Sequence, residues 1–358
     1  MPTKTKQPSV RYLLLAQELR EQMRRGALKP GDRLPSFAEM RAQGISQNTT
    51  EKVHALLERE HLVERRHRAG VFVANSNERK PRAGILGVAG KGFSFREYSP
   101  YWVSLLGSIR HVADDAARQL LLVDHESNTG WEKADGMLLC DWSNHLTLQW
   151  LPPGMPCVSL LVPAQGIVSV YADDYHGGFQ AAEHLLRLGH RRVAFLHSKD
   201  VFVSGRRVAG YRDALVAAGI TPREEWMRNM HGELDFGVRF TARGHAGMQE
   251  WLQTDWKKSR CTAIIAQNDE TAMGIIQALR EAKIRVPQDV SVVGFDGMAL
   301  PEYSPLSLTT VAVPLAEIGA AATRLLLRQL DGESVGAQHR VFPVALREGQ
   351  STARAKLS

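Results

Sequence analysis

Residues 83–358 alternate between short apolar runs and amphipathic segments, and this alternation restricts the possible folds more than any other feature of the chain. Runs such as ILGVAG, QLLLVD, GMLLCD, VAFLH and VSVVGFD are rich in Val, Ile and Leu. Segments with helical spacing lie between several of them. Continuous apolar strands separated by helices are typical of parallel sheets that are covered on both faces. The sequence therefore predicts an α/β body with enough strands for two such sheets.

The N-terminal 73 residues follow a helical pattern instead. VRYLLLAQELREQMRRG places Leu15, Leu19 and Met23 at helical spacing and ends at Gly26. LKPGDRLPS is a turn rich in Pro and Gly, and its Ser36 is a good N-cap for a short second helix in FAEMRAQ. Two helices joined by a turn are thus predicted near the start of the chain.

A third helix and a hairpin complete this segment. The helix is predicted to begin at Asn48, because Asn48 and Glu51 have the spacing of a capping box. Its buried side would carry Val53, Leu57 and Leu62. LVERRHRAGVFV alternates on either side of a turn at residues 69–70, as a two-stranded hairpin does. Three helices followed by a hairpin form a winged helix-turn-helix, whose last helix enters the major groove of DNA.

Charge is divided unevenly along the chain. Residues 1–82 hold 17 Lys and Arg against 9 Asp and Glu, whereas the remainder holds 28 against 29, so the first segment carries all of the positive excess. A compact basic module joined to a neutral body indicates a head that binds a polyanion. A basic surface alone is also compatible with ordinary solubility, so the charge supports the helix-turn-helix but does not establish it.

The start of the third helix carries polar side chains where a packing helix would have apolar ones. Because a recognition helix enters the groove with its N-terminus first, such residues meet base edges and phosphates. Asn and Gln can bond adenine, and Thr can reach bases or phosphates. The basic hairpin would lie along the DNA backbone or in a minor groove. The predicted contacts are Gln47, Asn48 and Thr49 in the helix and Arg65, Arg66, His67 and Arg68 in the wing.

GALKPGDRLPS, ISQNTTEKVHALLEREHLV and ERRHRAGVFV resemble the GntR class of winged-helix repressors. The resemblance implies that the start of the recognition helix and the wing tip touch DNA, which adds Ser46 to the predicted contacts and includes His67. Two arginines that are usual in the family are absent, since Ala38 and Glu51 occupy their positions. The resemblance therefore implies DNA binding without transferring the family's preference for particular DNA sequences.

Ligands of open α/β sheets bind beyond the carboxyl ends of the strands, so the strand ends of the body are candidate binding positions. These ends are residues 89–92, 141–142, 268–269 and 296. The stretches VPQDVSVVGFDGMALPEYSPLSLTTV, LGHRRVAFL, GRRVAGYRDAL, TAIIAQNDETAMG and LREGQST resemble the effector-binding domain of the LacI/GalR repressors, whose fold is shared with periplasmic sugar-binding proteins. A GntR-type head on such a body also resembles arabinose-responsive repressors.

The LacI/GalR resemblance implies three polar effector contacts, which are Arg207, Asn268 and Asp296. A guanidinium, an amide and a carboxylate together supply donors and acceptors to a polyhydroxylated ligand. Each residue also has a purely structural alternative, for example a helix cap at Asn268 or a strand-end turn at Asp296.

Three aromatic residues complete the expected effector site. Tyr101 and Trp102 follow the loop after the first strand, where the family places aromatic ligand contacts, and Trp142 ends the third strand. An aromatic face suits the C–H face of a sugar, although each of the three is equally compatible with a core position.

Two features depart from the family's pattern. Leu160 and Leu161 stand where sugar-binding relatives often have an aspartate, so the pocket is expected to be less polar than a typical hexose site. Residues 125–133 form a short connection between two strands that should be parallel, and a crossover with a helix normally needs about 10–12 residues. The helix usual at this place is therefore expected to be lost or reduced to a turn, which would expose one edge of that sheet.

Other classes of protein fit the sequence less well. GVAGKG is not a phosphate-binding loop, because Lys91 is followed by Gly92 and not by Ser or Thr. A GntR-type head joined to a pyridoxal-phosphate-dependent domain is an alternative, but that fold needs a longer chain. A small-molecule-binding protein without specific DNA binding is a second alternative. No catalytic or metal-ligand spacing stands out, and neither enzymatic activity nor a cofactor is expected.

The predicted fold class is α/β, with a winged helix-turn-helix head at residues 1–73, a linker at 74–82 and a two-lobed, periplasmic-binding-protein-like body with parallel sheets at 83–358. We expect a ligand-responsive transcription regulator, more often a repressor in both families, that binds operator DNA as a homodimer and senses a small molecule such as a sugar. No apolar run reaches the length of a membrane span. The three cysteines are far apart and no signal peptide is evident, which favours a cytoplasmic location.

Overall fold

The computed structural model describes residues 10–59, 62–66, 69–74, 84–90, 100–124, 130–140, 151, 154–198, 202–230, 240–298, 306–336 and 338–356. Its head contains the three predicted helices and the hairpin. Their bounds are α1 Val10–Arg24, α2 Phe37–Ala42, α3 Gln47–Arg59, β1 Val63–Arg66 and β2 Gly70–Val73. β1 and β2 pair in antiparallel fashion. The predicted order of elements in the head is confirmed.

The head packs around its own apolar cluster, which consists of Ala16, Leu19, Leu34, Met40, Val53, Leu57, Leu62, Val63, Val71 and Val73. The three residues predicted to be buried along the third helix all belong to it. In α1, Leu15 and Met23 are partly buried and pack against the cluster. The turn before α2 is joined to the hairpin, because the N–H of Leu34 donates to the carbonyl of Val71 at 2.8 Å.

The two predicted helix caps have different outcomes. Ser36 caps α2 as expected, since its hydroxyl accepts from the N–H of Glu39 at 3.3 Å and the Glu39 carboxylate accepts from the N–H of Ser36 at 2.6 Å. The capping box predicted at Asn48 is wrong. α3 already begins at Gln47, and its cap is Ser46, whose hydroxyl accepts from the N–H of Thr49 at 3.2 Å. Asn48 is therefore inside the first turn with an exposed side chain.

The body is built from β3 to β14 and from α4 to α10. The strands are β3 Ile85–Gly90, β4 Gln119–Asp124, β5 Gly136–Cys140, β6 Cys157–Leu160, β7 Val168–Ala172, β8 Val193–His197, β9 Met227–Asn229, β10 Ala263–Ala266, β11 Ser291–Asp296, β12 Thr309–Ala312, β13 His339–Phe342 and β14 Ala345–Arg347. The helices are α4 Pro100–Asp115, α5 Asp174–Arg187, α6 Phe202–Ala217, α7 Phe240–Gln253, α8 Trp256–Ser259, α9 Asp269–Glu281 and α10 Leu315–Leu330.

These strands form two six-stranded sheets, and each sheet is the centre of one lobe. The first sheet has the order β13–β7–β6–β5–β3–β4 and is covered by α4 and α10, which also pack against each other. The second has the order β14–β12–β11–β10–β8–β9 and is packed by α5, α6 and α9. β12 and β14 pair antiparallel, and the other pairs within both sheets are parallel. The predicted pair of parallel sheets is thus confirmed.

The chain passes between the lobes at three crossovers: from β7 to α5, from β12 to α10 and from β13 to β14. The first and third are joined directly, because the N–H of Asp173 donates to the carbonyl of Phe342 at 2.9 Å. The second is joined to the end of β11, since the N–H of Val313 donates to the carbonyl of Asp296 at 3.2 Å. The ends of β11 and β13 are therefore hydrogen-bonded to the crossover segments.

The short connection after β4 behaves as the sequence predicts within its described part. Residues 131–133 form a single 3-10 turn, and its Trp131 is buried in an apolar cluster that includes Ala89 and Val123. β4 is an edge strand of the first sheet. Residues 125–129 lie outside the described residues.

None of the helices in the described part of the chain combines the length and the apolar character that crossing a lipid bilayer requires.

Candidate functional site

The exposed side of α3 is the first candidate site. Because α3 is capped by Ser46, the side chains of its first turns project from a defined starting point. Thr49 shares a 2.8 Å hydrogen bond with the Ser46 hydroxyl and is partly buried. The exposed residues of these turns form what we call the groove face, namely Gln47, Asn48, Glu51 and Lys52. Two of the predicted contacts, Ser46 and Thr49, thus take part in the cap, and two lie on the groove face.

The wing arginines are paired with carboxylates. Arg65 donates from Nη2 to Oε1 of Glu51 at 2.7 Å and from Nε to Oε2 of Glu58 at 2.8 Å. These two bonds raise the pKa of Arg65. Arg66 donates to Glu64 at 2.7 Å and lies 4.6 Å from the ring centre of Phe72. His67 and Arg68, also predicted to contact DNA, lie outside the described residues.

The second candidate site lies where the lobes meet, and Arg207 on α6 is its centre. Its Nε donates to Oδ1 of Asp174 at 2.7 Å, its Nη1 donates to the carbonyl of Gln267, and its Nη2 is 3.4 Å from Oδ1 of Asp296. The guanidinium carbon lies 3.5 Å from the ring centre of Phe295. The side chains that contact the guanidinium come from α5 (Asp174) and from the end of β11 (Phe295 and Asp296), so only the folded chain brings them together.

Glycines explain how α5 and α6 approach closely enough for this contact. The position of a Cβ at Gly178 on α5 is occupied by the backbone of Arg207, and that of a Cβ at Gly210 on α6 by the backbone of Tyr175. Larger residues at these two places would push the helices apart. The bond between Arg207 and Asp174, which is the first residue of α5, depends on this close packing.

Asp296 is held in an unusual backbone conformation. Its φ is 107°, a region that non-glycine residues rarely occupy. The following Gly297 packs against Ala312, where a Cβ would lie only 2.6 Å from the Ala312 Cβ. Burial raises the pKa of Asp296 well above its usual value, while the charge of Arg207 opposes this shift. The carboxyl group is thus buried beside the guanidinium of Arg207, at the end of β11.

A second buried carboxyl group, Asp269, lies beside this site. It accepts hydrogen bonds from the hydroxyl of Thr310 at 2.6 Å and from the N–H of Met298 at 2.7 Å. Burial raises its pKa to about 7, and these hydrogen bonds limit the rise. Asp269 thereby holds residues 297–298, which follow Asp296, and it makes no hydrogen bond to Arg207 within the described residues.

Asn268 and Tyr101 lie at the same junction. Asn268 is the N-cap of α9, since its Oδ1 accepts from the N–H of Thr271 at 2.9 Å, which leaves its Nδ2 as a donor. Burial raises the pKa of Tyr101 well above its usual value, and the charge of Asp296 adds to this rise. Because this electrostatic effect acts only between neighbouring groups, Tyr101 on α4 of the first lobe lies near the carboxyl group of Asp296 in the second lobe. Trp102 packs edge-on against Tyr101 at 5.6 Å between ring centres. Trp142 lies outside the described residues.

The structure thus brings Arg207, Asn268, Asp296 and Tyr101 to one junction, with Trp102 behind Tyr101. Sequence reasoning missed Asp174 and Gln267. A signal for Asp174 was present, because the adjacent Asp173 and Asp174 directly follow the apolar run VSVYA and precede a segment with helical spacing. Gln267 contributes its carbonyl to Arg207 and its side chain to the N–H of Ser198 at 2.7 Å, contacts that no local pattern indicates. Within the described residues, no cluster of His, Cys, Asp and Glu is suited to hold a metal ion.

Comparisons with known proteins cover both parts of the chain. Residues 11–73 match the bacterial regulatory proteins of the gntR family, and residues 182–352 match the periplasmic binding protein-like domain. The HTH-type transcriptional regulator DegA of Bacillus subtilis is 30% identical over 275 residues, which are 71% of this chain and 77% of DegA. The arabinose metabolism transcriptional repressor of Halalkalibacterium halodurans is 25% identical over 375 aligned residues and 97% of both chains. The solved complex of the transcriptional regulator CelR with cellobiose has a TM-score of 0.68 at 25% identity and covers 86% of this chain and 91% of that one.

Proposed function

This chain belongs to the HTH-type transcriptional regulators, with a GntR-type head on a LacI-type body, and from that premise we propose which residues carry its two binding functions. It is a ligand-responsive regulator of transcription, and the relative from Halalkalibacterium halodurans is named as a repressor. The observation that carries the proposal is the contact of Arg207 with Asp174 and Asp296, because it joins a polar ligand site to the crossovers between the lobes.

We propose that the groove face of α3 reads operator DNA. Gln47 and Asn48 are exposed at the start of the helix, as residues that contact base edges must be. Ser46 and Thr49 fix the start of the helix and keep polar atoms near the phosphates. Arg66 and the wing residues His67 and Arg68 would approach the backbone, where each cation adds to the salt dependence of binding.

The effector proposed is a neutral carbohydrate. Arg207 has five N–H donors, and the described residues use three of them, so two remain for hydroxyl groups. Asp296 and the Nδ2 of Asn268 supply an acceptor and a further donor. The rings of Tyr101 and Trp102 offer an apolar surface for the C–H face of a sugar. Relatives named for arabinose and cellobiose support this class of ligand.

Ligand binding would act on the crossovers. A molecule held by Tyr101 of the first lobe and by Arg207 and Asp296 of the second closes the two lobes together. Asp296 is hydrogen-bonded to Val313 at the second crossover, and Asp174, which binds Arg207, directly follows the first crossover. Closure of the lobes around a ligand therefore changes the angle between them. A tenfold change in operator affinity requires only ~1.4 kcal/mol of differential binding. The same linkage operates for an inducer and for a corepressor.

A homodimer is part of the proposal. A single winged head covers a short half-site, and two heads on half-sites about 34 Å apart provide useful affinity. Sedimentation of the full-length chain should give twice the mass of one chain, and the mass of a monomer bound to operator DNA would contradict the dimer.

The experiment that tests the assignment uses the full-length chain. Its melting temperature is measured with a panel of L-arabinose, D-ribose, cellobiose, sugar acids and nucleobases, since a bound ligand raises stability by mass action. In parallel, duplex fragments of its own genome are selected for retention by the protein. A neutral sugar should raise the melting temperature, and at least one fragment should be retained. A shift caused only by acids or nucleobases would contradict the proposed effector class.

A further inference from the structure

Glu51 is an acidic residue on a surface that faces a polyanion in the proposed function. It belongs to the groove face and lies four residues after Gln47, which puts it on the same side of the helix about 6 Å further along the axis. Its side chain is 49% exposed. A free carboxylate at this place would be repelled by the phosphates of a bound duplex. Glu51 is therefore compatible with DNA binding only if a cation or a hydrogen-bond donor pairs with it.

Arg65 neutralises and orients this carboxylate. Its guanidinium lies between Glu51 and Glu58 and binds one oxygen of each, at 2.7 and 2.8 Å. Glu58 is seven residues further along α3, so the wing strand β1 is held against almost two turns of the recognition helix. Within the described residues, Oε2 of Glu51 has no hydrogen-bond partner. One acceptor oxygen is thus fixed by Arg65, and the other is available on the groove face.

Base edges in the major groove differ in what they offer to an acceptor. Guanine and thymine present acceptors there, which repel a carboxylate, whereas cytosine presents its N4 amino group and adenine its N6 amino group. The adenine amino group lies between two acceptors, N7 of the same base and O4 of thymine. Cytosine has no acceptor on its outer side, so it is the base whose edge suits Glu51 best.

We propose that Glu51 selects a cytosine in each half-site by accepting a hydrogen bond from its N4 amino group, and that Arg65 is the positioning residue for this contact. The inference rests on the proposed function, because it requires α3 to enter the major groove. It makes the pair of Glu51 and Arg65 a specificity determinant and not only a link between wing and helix.

The test is selection of duplexes from a random library by the full-length chain and by three variants at one salt concentration. The wild-type protein should enrich sites with a C·G pair at one fixed position of each half-site. Glu51→Gln should lose this preference by about tenfold or change it to A·T, since Gln bonds adenine, while the other positions stay unchanged. Arg65→Gln should weaken the preference at the same position.

Glu58→Gln is the matched control, because Glu58 binds the same arginine but lies beyond the first turns of the helix. It should leave the selected sequence unchanged. The same preference in Glu51→Gln as in the wild type would overturn the inference while leaving DNA binding intact. Equal effects of Glu51→Gln and Glu58→Gln would also overturn it, because the pair would then act only through the shape of the wing. A wild-type protein that enriches no sequence would instead overturn the proposed function itself.

Discussion

Asp174 accepts a 2.7 Å hydrogen bond from Nε of Arg207, and it does so from the first residue of α5, directly after the chain has crossed from one lobe to the other. Both side chains are buried, with exposed fractions of 3% and 7%. On the other side of the same guanidinium, Nη2 lies 3.4 Å from Oδ1 of Asp296. The residue that holds the central arginine is therefore also a residue of the crossover.

Asp174→Asn tests this relationship. The amide keeps an acceptor for Nε but removes the charge that stabilises the guanidinium, so we expect effector affinity to fall by about tenfold, or ~1.4 kcal/mol. Titration calorimetry with the sugar identified by thermal shift measures the change. Asp173→Asn is the control, because Asp173 caps α5 through the N–H of His176 at 3.1 Å and has no bond to Arg207. Equal losses in both variants would contradict a specific role for Asp174.

Conservative changes at Arg207 and Asp296 should separate effector response from DNA binding. Arg207→Lys keeps the buried charge but loses the fork of donors, and Asp296→Asn keeps the size of the side chain. We expect each to weaken the effector response at least tenfold while operator binding without effector stays within about twofold. Fluorescence anisotropy of a labelled operator, titrated with effector, provides both values. An unchanged dose–response in either variant would remove that residue from the site.

Asn48→Ala should weaken operator binding without destabilising the head. Asn48 is exposed and is not the cap of α3, so its removal costs a base contact worth ~1–3 kcal/mol and little stability. Ser46→Ala is the contrasting variant, because it removes the cap and should lower stability by ~1 kcal/mol. Melting curves and operator titrations of both proteins distinguish the two effects. A loss of stability in Asn48→Ala equal to that in Ser46→Ala would contradict the assignment of the cap.

His54 should make the stability of the head depend on pH. It is buried, and neither ring nitrogen has a hydrogen-bond partner in the described residues. Burial lowers its pKa below the usual value of 6.5, and the charge of Arg65 adds to this. The unfolded chain therefore takes up a proton at a higher pH than the folded head does. The stability that neutral His54 provides is present above pH 6.5 and declines as the pH falls below it.

Calorimetry of the full-length chain between pH 5 and 8 measures this effect. His54→Leu should flatten the pH dependence of the transition assigned to the head and raise its unfolding free energy by ~1 kcal/mol, because no buried polar atom remains unpaired. His111→Leu is the control, since the His111 side chain is 78% exposed on α4. An unchanged slope in His54→Leu would show that another group causes the pH dependence.

Much of the fold follows from local sequence patterns. The apolar runs of β3, β5, β8, β10 and β11 are fully or almost fully buried, which is why they stand out in the sequence. β7, β9 and β12 were not predicted, although β7 and β12 are buried. β13 and β14 were also missed, because they are short and mostly exposed and have no apolar run. Their pairing depends on the third crossover, a long-range contact that no local pattern records. The start of α3 was misplaced because two polar residues, Ser46 and Asn48, compete for the role of cap.

Some residues of the candidate site could likewise be predicted from the sequence, and others could not. Residues at strand ends, such as Asn268 and Asp296, could be predicted because parallel strands place their carboxyl ends at one edge. The partners of Arg207 could not, since Asp174 lies 33 residues away and meets it only through close packing of α5 and α6. Likewise, the sequence indicated a basic wing but not that Arg65 is bound by two glutamates of α3.

Reciprocal linkage tests the central claim that a DNA-reading head is coupled to a sugar-binding cleft. The operator affinity of the full-length protein is measured with and without saturating effector, and the effector affinity is measured with and without operator, all at one salt concentration. We expect both affinities to change by the same factor, of about tenfold or more, because coupling between two sites is reciprocal. Effector and operator that each bind tightly but leave the other's affinity unchanged would contradict the account.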